Sequence, residues 1–270
     1  MKIFDKTKIS ILLGGGGAIL VVILIVVVKL FSSNVEGYLE STKYDVFMLS
    51  DSEEGTLHTY YYSYYKYDGD NYIVQPGVYE DYNNITIDNS VLIIIDPWID
   101  MPFSELNNVV KKNVSTYILP VAKRFSELGG EVIIFTNDPK NNTYNTKIDE
   151  NLQNLVNEQN VKLVYHSDYS GQTERFADEM IAEGKTNLIY TGFATELCVL
   201  YRPAGIISMN YSNVPQDISC YIIPEATMAT ICDDMDKNIL MRNDIVTMLA
   251  QSRKADIIML DNIMDWLNSN

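Results

Sequence analysis

The last two thirds of the chain alternate short apolar runs with longer segments in which apolar residues recur every three or four positions. The apolar runs predict buried strands, at residues 91–95, 131–136, 161–165, 187–191, 219–223 and 256–260. The longer segments predict helices, at residues 104–128 (divided or kinked by Pro120), 147–158, 173–184 and 235–251, with another beginning near Thr195. This alternation predicts an α/β fold with three α/β/α layers, in which helices cover both faces of a six-stranded parallel sheet.

The amino-terminal segment has a different pattern. Residues 9–28 contain no charged residue and are bracketed by Lys8 and Lys29. A twenty-residue helix rises about 30 Å, the thickness of a bilayer's hydrocarbon core. The small residues of a signal-peptide cleavage site are missing, so we expect a retained signal-anchor helix. The basic flank, residues 1–8, predicts a cytoplasmic N-terminus, with the rest on the extracellular or lumenal side.

Residues 29–90 differ in composition from the segments on either side. They hold 11 of the 19 tyrosines, in aromatic runs separated by turn-forming residues. Such runs predict one or two β-hairpins rather than disorder. We interpret the segment as a juxtamembrane spacer that packs its tyrosines on the main domain. The predicted α/β domain then spans residues 91–270.

The net charge restricts the partners of the protein. A formal charge of −16 argues against nucleic acid, because binding to phosphates requires clustered lysine and arginine. Gly14 and Ala18 form a small-xxx-small pair, which is compatible with a homo-oligomer. The partner that these features predict is the membrane, through the N-terminal helix.

The cysteines and the glycosylation patterns bear on the compartment. Three cysteines are too few for a disulfide-built fold. In an oxidising compartment Cys220 and Cys232 are the one plausible pair that leaves Cys198 free, while two separately buried thiols are the alternative. The N-x-S/T acceptor pattern of a glycoprotein begins at Asn84, Asn113, Asn141 and Asn210.

Three chemically active side chains fall at the ends of predicted strands. Asp96 follows residues 91–95, His166 follows residues 161–165, and Cys198 lies just inside the helix after the fourth strand. The carboxyl ends of parallel strands meet at one edge of the sheet, where a carboxylate, an imidazole and a thiol could together run acyl transfer. Unpaired amides at a helix start favour a thiolate. Each of the three residues taken alone could instead be structural.

Two stretches resemble a known family, the isochorismatase-like cysteine hydrolases. These are VLIIIDPWID at residues 91–100 and TGFATELCV at residues 191–199, and the resemblance extends over about residues 91–260. It implies that Asp96 is the catalytic aspartate and that Cys198 is the nucleophile. It also implies a non-proline cis peptide between Phe193 and Ala194, with the Ala194 and Cys198 amides as the oxyanion hole. The residues that it suggests for the substrate pocket are Trp98, Tyr169 and Phe193.

The chain also departs from the family pattern. His166 stands at the position of the family's catalytic lysine, and Lys162 lies four residues earlier, about 13 Å away along an extended strand. We hypothesise that an imidazolium at His166 replaces the lysine, so that activity falls as the pH rises through the pKa of the imidazole. His58 and His166 are the two histidines of the whole sequence. The metal-binding histidines of the nicotinamidase branch are therefore missing, and neither a metal nor another cofactor is expected.

The resemblance implies hydrolysis of a C–N bond in a small amide, ureide or carbamoyl compound through a cysteine thioester. A different class of function competes with this one. Because the lysine is missing and an anchor and a tyrosine-rich segment are present, the chain could be a catalytically inactive, surface-displayed binding or structural module. The presence of both Asp96 and Cys198 favours the enzyme.

Overall fold

The structure is a computed structural model that describes residues 57–67, 72–82, 85–102, 104–157, 160–211, 213–232 and 234–270. The predicted membrane anchor at residues 9–28 lies outside these ranges. Within them, no helix is both long enough and apolar enough to cross a bilayer.

A single mixed sheet forms the centre of the described chain. Its strands are β1 (His58–Tyr67), β2 (Tyr72–Tyr82), β3 (Ser90–Ile95), β4 (Glu131–Thr136), β5 (Val161–Tyr165), β6 (Asn187–Phe193), β7 (Ser219–Met228) and β8 (Asp256–Ile257). They lie in the order β2-β1-β8-β7-β6-β3-β4-β5, and the pairs among β3 to β8 are parallel. The prediction of six parallel strands is therefore confirmed for β3 to β8.

The predicted total of six strands is wrong, because the sheet has eight. The tyrosine-rich hairpin β1–β2 extends the sheet, and β1 pairs antiparallel with β8 through Tyr60 and Ile257. The buried Tyr60 accepts a hydrogen bond on its hydroxyl from Asn262 Nδ2 at 2.8 Å. The guanidinium of Arg253 lies 3.8 Å from the centre of the Tyr61 ring. The hairpin thus pairs with β8, which would otherwise be an unpaired edge strand of the sheet.

The helices that cover the sheet are α1 (Ser104–Asn113), α2 (Leu119–Glu127), α3 (Glu150–Leu155), α4 (Thr173–Ala182), α5 (Cys198–Tyr201), α6 (Met235–Gln251) and α7 (Leu260–Ser269). A π-helical turn, Val114–Ile118, joins α1 to α2. There the Leu119 N–H bonds to the carbonyl of Val114, and the following Pro120 has no N–H to donate, which explains the interruption predicted at this proline. Residues 258–260 were expected to continue a strand, but α7 begins at Leu260.

Apolar residues are buried on both faces of the sheet. Every residue of β3 is buried, and alternate residues face opposite sides. Leu92 and Ile94 belong to the core cluster beneath α1, α2, α3 and α7. Ile93 and Ile95 belong to the cluster beneath α4, α5 and α6. A strand covered on both faces must be apolar throughout, which is why β3 reads as a continuous apolar run rather than an alternating one.

The predicted pairing of Cys220 with Cys232 is wrong, since both thiols are free. Cys220 is the second residue of β7, and Cys232 lies beyond the last residue of that strand, Met228. Cys220 pairs with Leu188 of β6 and Met228 pairs with Phe193, so the stretch of β7 between them runs beside five residue steps of β6. Five steps of extended chain span roughly 17 Å, and the two cysteines lie near opposite ends of the strand. The fold-back that the pairing required does not occur.

Two of the candidate glycosylation sites are occupied by structural hydrogen bonds. The buried Asn113 donates from Nδ2 to the carbonyl of Glu225 at 3.0 Å. Asn210 donates from Nδ2 to the carbonyls of Ile206 and Lys254, at 2.8 and 2.9 Å. Asn141 is exposed, and Asn84 lies outside the described residues. Asn141 also donates from Nδ2, to Asp138 Oδ2 at 2.9 Å, but that bond lies at the surface. Among the described acceptor asparagines, Asn141 is therefore the exposed one.

Candidate active site

Asp96 directly follows the last residue of strand β3, at the carboxyl edge of the sheet. Its N–H still donates to the carbonyl of Phe135 on β4, at 2.9 Å, but its φ of 51° lies in the left-handed region, which aspartate tolerates better than most residues. The Trp98 N–H then bonds to the Asp96 carbonyl at 2.8 Å and closes a tight turn. The side chain of Asp96 is completely buried.

The segment that carries Cys198 is held against this turn by Gly192. Gly192 pairs with Ile95 in the parallel register of β6 and β3. A Cβ on Gly192 would lie 2.1 Å from the Ile95 carbonyl oxygen, and the φ of Gly192 is 118°. Only glycine fits here, because both the close approach and the dihedral angle exclude a side chain. The two chain segments that bear Asp96 and Cys198 are thereby brought side by side.

The expected cis peptide between Phe193 and Ala194 is not found, since the described residues contain no cis bond. The chain reverses through a left-handed Ala194 instead, with a φ of 56°. The Thr195 N–H bonds to the carbonyl of Met228 at 3.0 Å, and the Ala194 carbonyl accepts from Leu197 at 2.9 Å. Helix α5 follows, with Cys198 as its first residue. The role of the Ala194 and Cys198 amides as an oxyanion hole stays a prediction.

The carboxylate of Asp96 is held by two basic side chains. His166 Nε2 lies 2.7 Å from Asp96 Oδ1, and Arg202 Nε donates to Asp96 Oδ2 at 3.2 Å. Arg202 also donates from Nη2 to Asn137 Oδ1 at 3.2 Å, and its guanidinium lies 5.9 Å from the centre of the Trp98 ring. One buried anion thus has a nitrogen donor on each oxygen.

The thiol of Cys198 interacts with the same groups. Burial raises the pKa of this thiol well above its ordinary value, the Asp96 carboxylate raises the pKa further, and the Arg202 guanidinium lowers it in part. The expectation that a helix start would favour the thiolate is therefore wrong for the resting site. Helix α5 has only four residues, so its dipole is small, and desolvation decides the protonation state. Cys198 rests as a thiol beside a carboxylate.

His166 begins the 3-10 turn His166–Tyr169 that follows β5. Its ring stacks on Phe135, with centroids 5.6 Å apart and planes 14° apart. Its Nδ1 atom is buried and has no hydrogen-bond partner among the described residues. Lys162 does not take its place, because Lys162 Nζ is bound to Glu131 Oε1 at 2.6 Å.

The predicted pocket residues occupy three different positions. Trp98 is buried beside the site and donates from Nε1 to Thr136 Oγ1 at 3.0 Å. Tyr169 is half-buried behind Phe135 and donates to Glu179, and burial together with this bond raises the pKa of Tyr169 to about 12. Phe193 is 1% exposed and belongs to the core cluster on the other face of the sheet from Cys198. This placement does not support a role for Phe193 in binding substrate.

Sequence reasoning missed Arg202. The signal was present, since Arg202 follows Cys198 by four residues in a segment expected to begin a helix, and residues i and i+4 share a helix face. As for metals, no group of three or more histidine, cysteine or acidic side chains is placed to hold an ion within the part of the chain that the structure describes.

Comparison with known proteins shows which solved structures have a fold similar to that of this chain. No protein-family model matches the chain, and no curated protein matches it. Among solved structures, a cysteine hydrolase from Pseudomonas syringae pv. phaseolicola is 12% identical, with 69% of this chain and 96% of that chain covered and a TM-score of 0.50. The YcaC gene product of Escherichia coli, an octameric hydrolase of unknown specificity, is 15% identical over 70% and 84% of the two chains, with a TM-score of 0.47.

A third solved structure is the nicotinamidase of Staphylococcus aureus, 10% identical over 63% of this chain and 99% of that one, with a TM-score of 0.46. The structural neighbours are thus isochorismatase-like cysteine hydrolases. At these identities the likeness is one of fold, and the chain shares the mixed α/β sheet fold of that class.

Proposed function

We propose that this protein is a cysteine hydrolase that cleaves a C–N bond of a small amide, ureide or carbamoyl compound. The observation that carries the proposal is that the buried Cys198 thiol and the buried Asp96 carboxylate lie at the same edge of the sheet, close enough for the carboxylate to raise the pKa of the thiol. A thiol that rests protonated beside a carboxylate is a nucleophile paired with its own general base. The fold shared with a cysteine hydrolase is compatible with this chemistry.

The mechanism follows from that pairing. Because the pKa of Cys198 is raised, the proton leaves sulfur as the bond to the substrate carbonyl carbon forms. Asp96 accepts this proton, and the carbonyl oxygen becomes an oxyanion facing the Ala194 and Cys198 amides. Asp96 then returns the proton to the leaving nitrogen as the C–N bond breaks, which releases the amine or ammonia and leaves a thioester. Water, deprotonated by Asp96, hydrolyses the thioester and restores the thiol.

The test is a hydrolysis screen of small amides, ureides and carbamoyl compounds with the full-length chain. Cys198→Ala should abolish any turnover found. Cys232→Ala is the matched control, because it removes a thiol that is bound to Asp234 and Asn238 outside the site, and it should keep parent activity. Turnover that survives Cys198→Ala would overturn the mechanism. No turnover of any compound would favour the inactive binding module instead.

The proposal extends to the location of the enzyme. Residues 9–28 would anchor it as a single-pass protein, with the catalytic domain on the extracellular or lumenal side. The protein should remain with membranes through a carbonate wash, and protease added outside intact cells should cleave the large domain. Recovery in the soluble fraction, or protection of the domain in intact cells, would contradict this topology.

A further inference from the structure

The site has two candidates for the positive charge that a buried carboxylate requires. An ionised carboxylate without a compensating partner is costly in a site from which water is excluded. Among the residues that the structure describes, the charged or titratable groups in contact with Asp96 are His166 on Oδ1 and Arg202 on Oδ2. The Cys198 thiol is a third titratable group at the same edge of the sheet, and the Asp96 carboxylate raises its pKa. Which of the two bases carries the charge decides how the site works.

The geometry around His166 favours a neutral ring. A single proton on Nε2 is enough to donate the 2.7 Å hydrogen bond to Asp96. A second proton would sit on Nδ1, which is buried and has no partner among the described residues. Burying an unpaired N–H is destabilising, and more so when the donor is charged. The flat contact with Phe135 supplies no acceptor.

The geometry around Arg202 is that of a fixed cation. Guanidinium stays charged throughout the physiological range. Arg202 lies just past the end of α5, four residues after Cys198, and bonds to Asp96 through Nε. Asn137 holds the far end of the guanidinium through Nη2, so the group keeps its orientation. It also acts on the thiol itself.

We propose that Arg202 is the catalytic cation of this site and that His166 is a neutral positioning residue. The inference rests on the proposed function in one respect, the use of Cys198 as the nucleophile. When the thiol proton moves from Sγ to an oxygen of Asp96, one negative charge moves from the carboxylate to sulfur. Arg202 bonds to Asp96 and lies four residues after Cys198, so its charge acts on the anion before and after the transfer. This replaces the hypothesis of an imidazolium at His166.

The test is the rate at which iodoacetamide alkylates Cys198, followed by peptide mass between pH 6 and 9. It needs no substrate, so a failed hydrolysis screen leaves it intact. Arg202→Met should slow alkylation about tenfold or more at every pH, because a cation this close shifts a thiol pKa by about one unit or more. Arg202→Lys should restore most of the rate. Arg124→Met is the matched control, and its alkylation rate should equal that of the parent. The Arg124 side chain lies on α2 and is 34% exposed, close to the 30% of Arg202.

Two further measurements separate electrostatics from folding and access. The ratio of alkylation by anionic iodoacetate to that by neutral iodoacetamide should fall severalfold in Arg202→Met and recover in Arg202→Lys, which a purely structural defect would not produce. His166→Gln should lower the rate by the same factor across the pH range. Parent-like alkylation in Arg202→Met would overturn the proposal. A defect of His166→Gln confined to pH below 7 would overturn it too, because it would make imidazolium the active cation.

Discussion

Glu225 offers a quantitative test of the structure, because it is a carboxyl group buried inside β7. The residue is 7% exposed. Its Oε2 accepts one hydrogen bond from the Leu260 N–H at 3.3 Å. Burial raises the pKa of Glu225 from 4.5 to about 7, while its own N–H, the Leu260 N–H and the charge of Arg242 oppose the rise only in part. The folded protein therefore holds a proton that the unfolded chain releases near pH 4.5.

The sign and size of the effect on stability follow from linkage. A pKa raised on folding contributes stability that is fully present below pH 4.5 and is lost as the pH rises through about 7. The difference between 7 and 4.5 is 2.5 units, and at about 1.36 kcal/mol per unit the total is about 3 kcal/mol. Between pH 5 and 8 the expected loss is about 2.5 kcal/mol, with little further change above pH 8.

The assay is urea unfolding of the full-length chain at pH 5, 6, 7 and 8. Glu225→Gln keeps an oxygen acceptor for Leu260 but cannot ionise, so its free energy of unfolding should lack the loss of about 2.5 kcal/mol seen in the parent. Glu150→Gln, at an exposed position at the start of α3, is the control and should follow the parent. Parallel pH profiles of the parent and Glu225→Gln would refute the reasoning.

Two more predictions concern the site. Asp96→Asn should lower hydrolysis at least about 100-fold by removing the general base, yet it should speed alkylation of Cys198, because the charge that raises the thiol pKa is gone; slower alkylation would contradict this. Gly192→Ala should lower the free energy of unfolding in urea by about 3 kcal/mol, because the added Cβ would collide with the backbone of Ile95. The control Gly184→Ala, at a φ of 74° with nothing within 4 Å of its Cβ, should lower it by about 1 kcal/mol. Equal losses in the two variants would refute the close approach of Gly192 to Ile95.

The local pattern of apolar and polar residues was sufficient to predict most of the helices and strands. The bounds expected for β4, β5 and α6 are those observed. These elements are long apolar or periodic segments with clear ends, so the chain itself specifies them. The last strand was expected to cover residues 256–260, but it covers Asp256–Ile257 and a helix begins at Leu260. A short apolar run of this kind is compatible with either a strand or the start of a helix. Attachment of the β1–β2 hairpin depends on the free edge of β8, which no local pattern reveals.

The convergence of Asp96, His166 and Cys198 could also be predicted, because the ends of parallel strands share one edge of a sheet. The sequence alone thus determined the α/β fold, most strand positions and which side chains meet in the candidate site. Tertiary structure decided their electrostatics. Arg202 and Asp96 form a hydrogen bond although they are 106 residues apart in the sequence. Burial raises the pKa of Cys198, whereas a helix start was expected to lower it. The physical reason is that periodicity is a property of neighbours in sequence, whereas desolvation and charge pairing depend on neighbours in space.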